Sequence, residues 1–201
     1  MLSLAEELII LISTFLNNKE KTVLTSLTKS FTMFSKKFIY RDRIEAEKII
    51  YVPYNNNFTY VEYTYRSGVL AVPSFVTHLY IDDFFNKPLY ALPKSLKFIS
   101  INPWFNNTID IPASITHILI DDYSMWYNYN DIPYNVTHIM IEELRTCLKI
   151  FPDTVKYLFV NEANKNYLDL KKVSSVTKII YFDNENYKCI ENFIDSASQL
   201  E

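Results

Sequence analysis

PASITHILI (residues 112–120) decides the fold, because the chain keeps returning to it. Six further strings align on it: NNNFTYVEY (55–63), PSFVTHLYI (73–81), PKSLKFISI (93–101), PYNVTHIMI (133–141), PDTVKYLFV (152–160) and VSSVTKIIY (173–181). Their apolar anchors, Phe58, Val76, Leu96, Ile115, Val136, Val155 and Val176, lie 18, 20, 19, 21, 19 and 21 residues apart. A period of about 20 residues signals a solenoid with one supersecondary unit per turn. Within each copy apolar residues recur at anchor, anchor+3 and anchor+5, as in Ile115, Ile118 and Ile120. Strand side chains alternate, so anchor+3 and anchor+5 share the inward face of one short strand.

The segments between strands obey a second rule. An apolar residue precedes the proline: Val72, Leu92, Ile111, Ile132 and Phe151. Proline fixes φ and lacks a donor, which suits an extended edge just before a strand. About a dozen residues join one strand to the next, too few for a long convex helix, so extended or 3₁₀ backbone is expected there.

Composition removes several function classes. There is a single glycine, Gly68, whereas phosphate-cradling loops and nucleophile elbows need glycine where backbone meets ligand or turns sharply. A net charge of −3 argues against nucleic acid as a partner. Cys147 and Cys189 stand far apart, in no metal spacing, which fits a reducing compartment. The apolar run Leu8–Ile12 follows Glu6 and Glu7, not a basic segment, and is too short to span a bilayer. The expectation is a cytoplasmic protein, neither a membrane protein nor an enzyme, with no cofactor.

Every histidine of the chain falls at anchor+2: His78, His117 and His138. They share that column with Tyr60, Phe98, Tyr157 and Lys178, and anchor+6 adds Asp82, Asp121 and Glu142. Alternation with anchor+3 turns anchor+2 outward, onto an exposed concave face. The expected surface is an aromatic and imidazole strip beside a line of carboxylates. Its matching target is a protein offering apolar groups next to Lys or Arg, held less tightly as the histidines protonate between about pH 7 and 5.5. His117 and His138, about 5 Å apart on adjacent strands, make a two-histidine, one-carboxylate metal site with Asp121 or Glu142 geometrically conceivable. The periodicity explains the histidine positions without chemistry, and the reading is metal: none.

Residues 1–50 carry no repeat. LSLAEELIILISTFLNNKEKTVLTSLTKSFTMF (2–34) reads as two or three helices. Ser3 and Glu6 have capping-box spacing, Leu8, Ile12, Phe15 and Leu16 recur at helical spacing, and NNKEK breaks the run. The second stretch restarts with Val23, Leu27, Phe31 and Phe34 on one stripe. Leu8 to Ile12 are apolar all round the helix, more than one buried face requires, which points to a partner. Residues 36–49 interleave Lys and Arg with Asp42, Glu45 and Glu47, as a solvated helix face does. YKCIENFIDSAS (187–198) reads as a short helix capping the last strand.

Two resemblances follow. FNNTIDIPASITHILI (105–120) and FNKPLYALPKSLKFISI (85–101) resemble the FNIP repeat, a short leucine-rich-repeat subclass with a Phe-Asn…Ile-Pro motif before its strand. The Asn usual at anchor+8 is replaced by Phe84, Trp104, Tyr123, Leu144 and Ala163, so no Asn ladder is expected at that position. Leu4-Ala5-Glu6-Glu7-Leu8, Ile12-Ser13-Thr14-Phe15-Leu16 and Leu27-Thr28-Lys29-Ser30-Phe31 resemble the F-box, with Ala5, Thr28 and Phe31 where that module has Pro, Cys and Trp. The two together resemble F-box and FNIP repeat-containing proteins of social amoebae and of giant mimivirus-type viruses of amoebae, which in the viral case implies host cytoplasm.

The resemblance implies an α+β fold. A leucine-rich-repeat solenoid of about seven parallel strands (51–182) follows an F-box-like helical cluster (1–50) and is closed by a C-terminal cap (183–201). It implies a substrate receptor of a Skp-cullin-F-box ubiquitin ligase. Leu4, Leu8, Ile12, Phe15, Leu16, Leu27 and Phe31 would bind a Skp-type adaptor. Tyr60, His78, Phe98, His117, His138, Tyr157, Asp82, Asp121 and Glu142 would bind the target. The alternative is a repeat scaffold or virion-associated protein whose helices only cap the solenoid.

Overall fold

The computed structural model describes residues 4–66, 71–105, 107–122, 132–144, 151–183 and 187–198; the side chains of Leu4, Asp122 and Tyr187 are outside that description. Chain contacts divide it into two compact units, Met1–Glu62 and Tyr63–Glu201. Every described strand pairing is parallel, and strand order follows chain order. The result is α+β, with a solenoid-like parallel sheet.

In the first unit, α1 (Leu4–Ser13) is followed by α2 (Asn18–Ser26), α3 (Lys29–Thr32) and a 3₁₀ turn (Met33–Lys36). NNKEK does more than break the first helix. The Asn17 side chain accepts from Glu20 N, and the Asn17 N–H donates to the Glu20 carboxylate, so a capping box starts α2 inside that motif. Ser3, expected to cap α1, lies outside the described residues. A second cap at Thr28, accepting from Phe31 N, cuts the following helix short. That break is why Val23, Leu27, Phe31 and Phe34 do not form one stripe. Phe34 is buried, Phe31 half-buried, and Val23 and Leu27 exposed.

Residues 36–49 differ from the expected helix face. They hold strand β1 (Ile44–Glu45), which pairs with Val61 and Glu62 of β2 (Val61–Tyr65), and a bridge joins Tyr40 to Phe58. A degenerate turn of the repeat therefore lies before residue 50, 18 residues upstream of the Phe58 anchor. Its apolar core is aromatic: Tyr40 stacks on Phe58 at 4.4 Å, with Phe34, Phe38 and Ile49 also buried.

In the second unit the strands are β3 (His78–Ile81), β4 (Phe98–Ile101), β5 (His117–Asp122), β6 (His138–Glu143), β7 (Tyr157–Asn161) and β8 (Lys178–Phe182). The register is that of the repeat, with Ile99, Ile118, Ile139 and Leu158 in line at anchor+3. Anchor, anchor+3 and anchor+5 of the copies at 93–101, 112–120, 133–141 and 152–160 are all fully buried. The last copy departs: Val176 and Tyr181 are exposed, because β8 ends the strand order and no further turn covers them.

Each proline has a turn-forming part beyond extended backbone. The anchor N–H donates to the proline carbonyl three residues back: Val76 to Pro73, Leu96 to Pro93, Ile115 to Pro112, Val136 to Pro133 and Val155 to Pro152, at 3.0–3.2 Å. The intervening segments hold 3₁₀ turns (Glu162–Tyr167, Leu170–Lys172) and a Leu89–Ile109 bridge, with no α-helix among the described residues. Asn102 and Asn161, at anchor+6, take over turn closure from the missing anchor+8 Asn. Asn102 Oδ1 accepts from Trp104 N, its amide donates to the Asp82 carbonyl, and Asn161 accepts from Ala163 N.

The C-terminal helix α4 (Tyr187–Ser196) exists, but it does not cap the last strand. It lies on the anchor+2 face, where Phe193 meets Phe98, His117 and Phe159 edge-to-face. The reason is the anchor+4 column, which shares that face. It reads Tyr80, Ser100, Leu119, Met140, Phe159 and Ile180, a largely apolar surface that needs cover. Leu119 and Met140 are buried beneath it.

Candidate functional site

The anchor+2 column forms a ladder of rings. His78 stacks on Phe98 at 5.4 Å, His117 on His138 at 4.1 Å, and His138 on Tyr157 at 4.7 Å. Parallel register brings them together: His78 pairs with Phe98, Phe98 with His117, His117 with His138 and His138 with Tyr157. The preceding threonine holds each imidazole, with Oγ1 2.8–2.9 Å from Nδ1 in Thr77–His78, Thr116–His117 and Thr137–His138.

The far nitrogens fix the tautomer of two rings. The Ile194 carbonyl, 3.4 Å from His78 Nε2, can only accept. Ser196 Oγ, 3.0 Å from His117 Nε2, already donates to the Phe193 carbonyl. Nε2 therefore carries the proton in both, and Nδ1 accepts from threonine. This is the neutral state, and burial favours it. The His117 pKa falls to about 3 through desolvation, then the charges His138 and His78 would carry. Burial, then Lys156, lowers that of His138.

This overturns the expectation of an exposed strip. His78, Phe98 and His117 are fully buried, His138 is half-buried, and Tyr157 alone reaches 36% exposure. Tyr60 is buried in the first unit, beside the Arg43 guanidinium. The faces themselves were assigned correctly; what covers the outward one is α4. A binding loss driven by histidine protonation between pH 7 and 5.5 is overturned with it, since His117 stays neutral through that range. The signal that could have revealed the cover is sequence-legible. Ile190, Phe193, Ile194 and Ala197 form an apolar stripe at helical spacing, complementary to the apolar anchor+4 column.

The carboxylate line is also absent as an open surface. Asp82 Oδ1 accepts from Phe84 N, and its other oxygen pairs with Arg66 at 3.6 Å. Asp121 is half-buried, and its pKa rises to about 7 through burial, then the Glu142 and Asp83 charges. Burial raises Glu142 as well. Among the described residues no group of three or more His, Cys, Asp or Glu is arranged to hold a metal ion. Cys189 is a free thiol whose pKa burial raises; Cys147 lies outside the described residues.

The first unit carries the opposite kind of surface. Leu8, Leu11 and Ile12 are 50–56% exposed and Phe15 83%, at spacings of three, four and seven along α1 and the turn after it. Phe15 N donates to the Ile12 carbonyl, which holds that turn. Helix α2 is inverted. It turns Val23 and Leu27 outward and buries Lys21 and Thr25. The Lys21 ammonium donates to the Ile39 carbonyl at 2.7 Å and lies over the Tyr40 ring. Burial, then Arg41, lowers its pKa. Leu8, Ile12, Phe15 and Leu27 of the expected docking residues are thus exposed, and Leu16 and Phe31 half-buried. The Leu4 side chain lies outside the described residues. Leu11, Val23 and Met33 join the exposed set and were not singled out from sequence. No helix among the described residues is long and apolar enough to cross a membrane. No protein-family model matches the chain, and no curated protein matches it.

Proposed function

We propose that this is a protein-interaction protein whose first unit docks on a helical adaptor of the Skp type, as the receptor subunit of a ubiquitin ligase. One observation carries the reading. Leu8, Leu11, Ile12 and Phe15 present an apolar stripe to solvent while α2 turns its apolar residues outward and its polar ones inward. Scattered exposed leucines need no explanation, but a contiguous apolar stripe does. Each such side chain contributes about 1.5–3 kcal/mol when a partner covers it, against which association costs are set. The F-box-like order of the same residues supports an adaptor of that class.

Under this reading the target binds to the repeats outside the strip that α4 covers. Phe84 and Trp104, at anchor+8 of successive turns, are 91% and 69% exposed, and each is held by an Asx turn. Exposed aromatics on a rigid turn are of the type that anchors protein interfaces.

The test is capture of a purified Skp-type adaptor by the full chain. Wild type binds, and Leu8→Glu with Ile12→Glu abolishes capture while the circular dichroism of the repeats is retained. Absence of capture by wild type, or capture indifferent to the pair, overturns the reading.

A further inference from the structure

Three Thr–His units are built alike, yet only two of the imidazoles have a partner at the far nitrogen. His78 Nε2 faces the Ile194 carbonyl and His117 Nε2 faces Ser196 Oγ. His138, held by Thr137 at Nδ1 in the same way, has no partner at Nε2 among the described residues. A neutral imidazole whose Nδ1 accepts must donate from Nε2. The ladder thus leaves one donor unmatched.

That ring borders a cleft of about 400 Å³ between the sheet and α4. Tyr157, Phe159, Ile180 and Phe193 form apolar walls, and Lys188 and Asn192 of α4 supply further polar groups. No acidic side chain lines it. Lys156 acts on His138 as a like charge, and Lys178 stands in register with Tyr157. Lys188 is exposed and has no ion-pair partner among the described residues. The volume suits a small organic molecule, and the chemistry is that of a site with apolar walls and a few convergent donors.

We infer that this cleft binds a small carboxylic acid bearing one aromatic or short aliphatic group. The carboxylate accepts from His138 Nε2 and pairs with the Lys188 ammonium; the apolar part lies against Phe159, Ile180 and Phe193. A charge-assisted bond is the stronger kind and matches the unopposed positive potential here. This site is separate from the helical face of the first unit, so its failure leaves the docking reading standing.

The experiment titrates the full chain with phenylacetate and, separately, with its neutral isostere phenylacetamide, following the histidine ring resonances by NMR. Phenylacetate is expected to shift the His138 signals saturably and leave those of His78 and His117 nearly in place. The amide is expected to bind about tenfold more weakly, and Lys188→Glu, at an exposed position, to weaken phenylacetate by a similar factor. Equal binding of acid and amide, unmoved His138 signals at millimolar phenylacetate, or full affinity in Lys188→Glu would each overturn the assignment.

Discussion

His117 and His138 lie face to face on neighbouring strands, ring centroids 4.1 Å apart and planes 9° from parallel. Charging both would set two cations against each other in a buried stack, so the ladder is built for neutral imidazole. A few residues along the same strands, Asp121 and Glu142 are held toward their protonated forms. The two pairs pull stability in opposite directions as pH falls.

The first prediction takes its sign from that opposition. His117 has a folded pKa below its unfolded value, so its contribution is complete above about pH 6.5 and is lost as pH falls towards about 3. Asp121 has a folded pKa above its unfolded value, so its contribution is complete below pH 3.8 and is lost as pH rises through about 7. Between those limits proton uptake by the two nearly cancels, and wild-type stability is expected to vary little. Asp121→Asn removes one side of the balance. Its stability should fall with acidification from pH 6.5 to 4, by up to about 1.4 kcal/mol per pH unit. Denaturant midpoints at several pH values check this; parallel profiles for the two proteins contradict it.

Ile118→Asp should abolish cooperative melting of the second unit. Ile118 is fully buried and paired with Ile99 and Ile139. The lost burial costs about 1.5–3 kcal/mol, and an unpaired buried carboxylate costs more. Thr116→Ala, which outward placement alone would make mild, should cost about 1–3 kcal/mol because it strips His117 Nδ1 of its donor. Thermal unfolding of both variants decides; an unchanged midpoint in Ile118→Asp would mean that the register is wrong.

Phe193→Ala should destabilise by about 3–5 kcal/mol, since the ring is 1% exposed against Phe98, His117 and Phe159. Dye binding to the uncovered face should rise in parallel. A neutral outcome would mean that α4 does not rest on the ladder in solution.

Leu8→Glu with Ile12→Glu should leave stability within about 0.5 kcal/mol of wild type for each change, because both side chains are half exposed. Chemical denaturation measures it. A loss of several kcal/mol would show that α1 is packed in solution, and that its apolar stripe is structural.

The repeat was legible because it is written in one residue type at fixed spacing. Apolar anchors 18 to 21 residues apart fixed strand positions, and anchor+3 and anchor+5 fell in the core wherever a turn stacks on both sides. Three features escaped. The turn at Tyr40–Ile44 has aromatic residues and arginine where the pattern expects aliphatics, so no periodicity exposed it. The capping boxes within NNKEK and at Thr28 are local hydrogen-bond choices that cut across an apolar stripe. The cover over His78, Phe98 and His117 comes from a distant helix, and alternation along a strand says which way a side chain points, not what lies above it.

The contact between α4 and the ladder also orders events during synthesis. Successive strands pair across roughly 20 residues, so each turn can add to the last as the chain emerges. The His78–Ile194 contact instead closes a span of 116 residues and waits for the far end of the chain. Until α4 is made, Phe98, Leu119, Met140 and Phe159 face water together on a sheet that is otherwise complete. A ribosome stalled before residue 187 therefore holds a folded solenoid with one sticky side, a nascent chain for holdase chaperones to cover until the helix arrives.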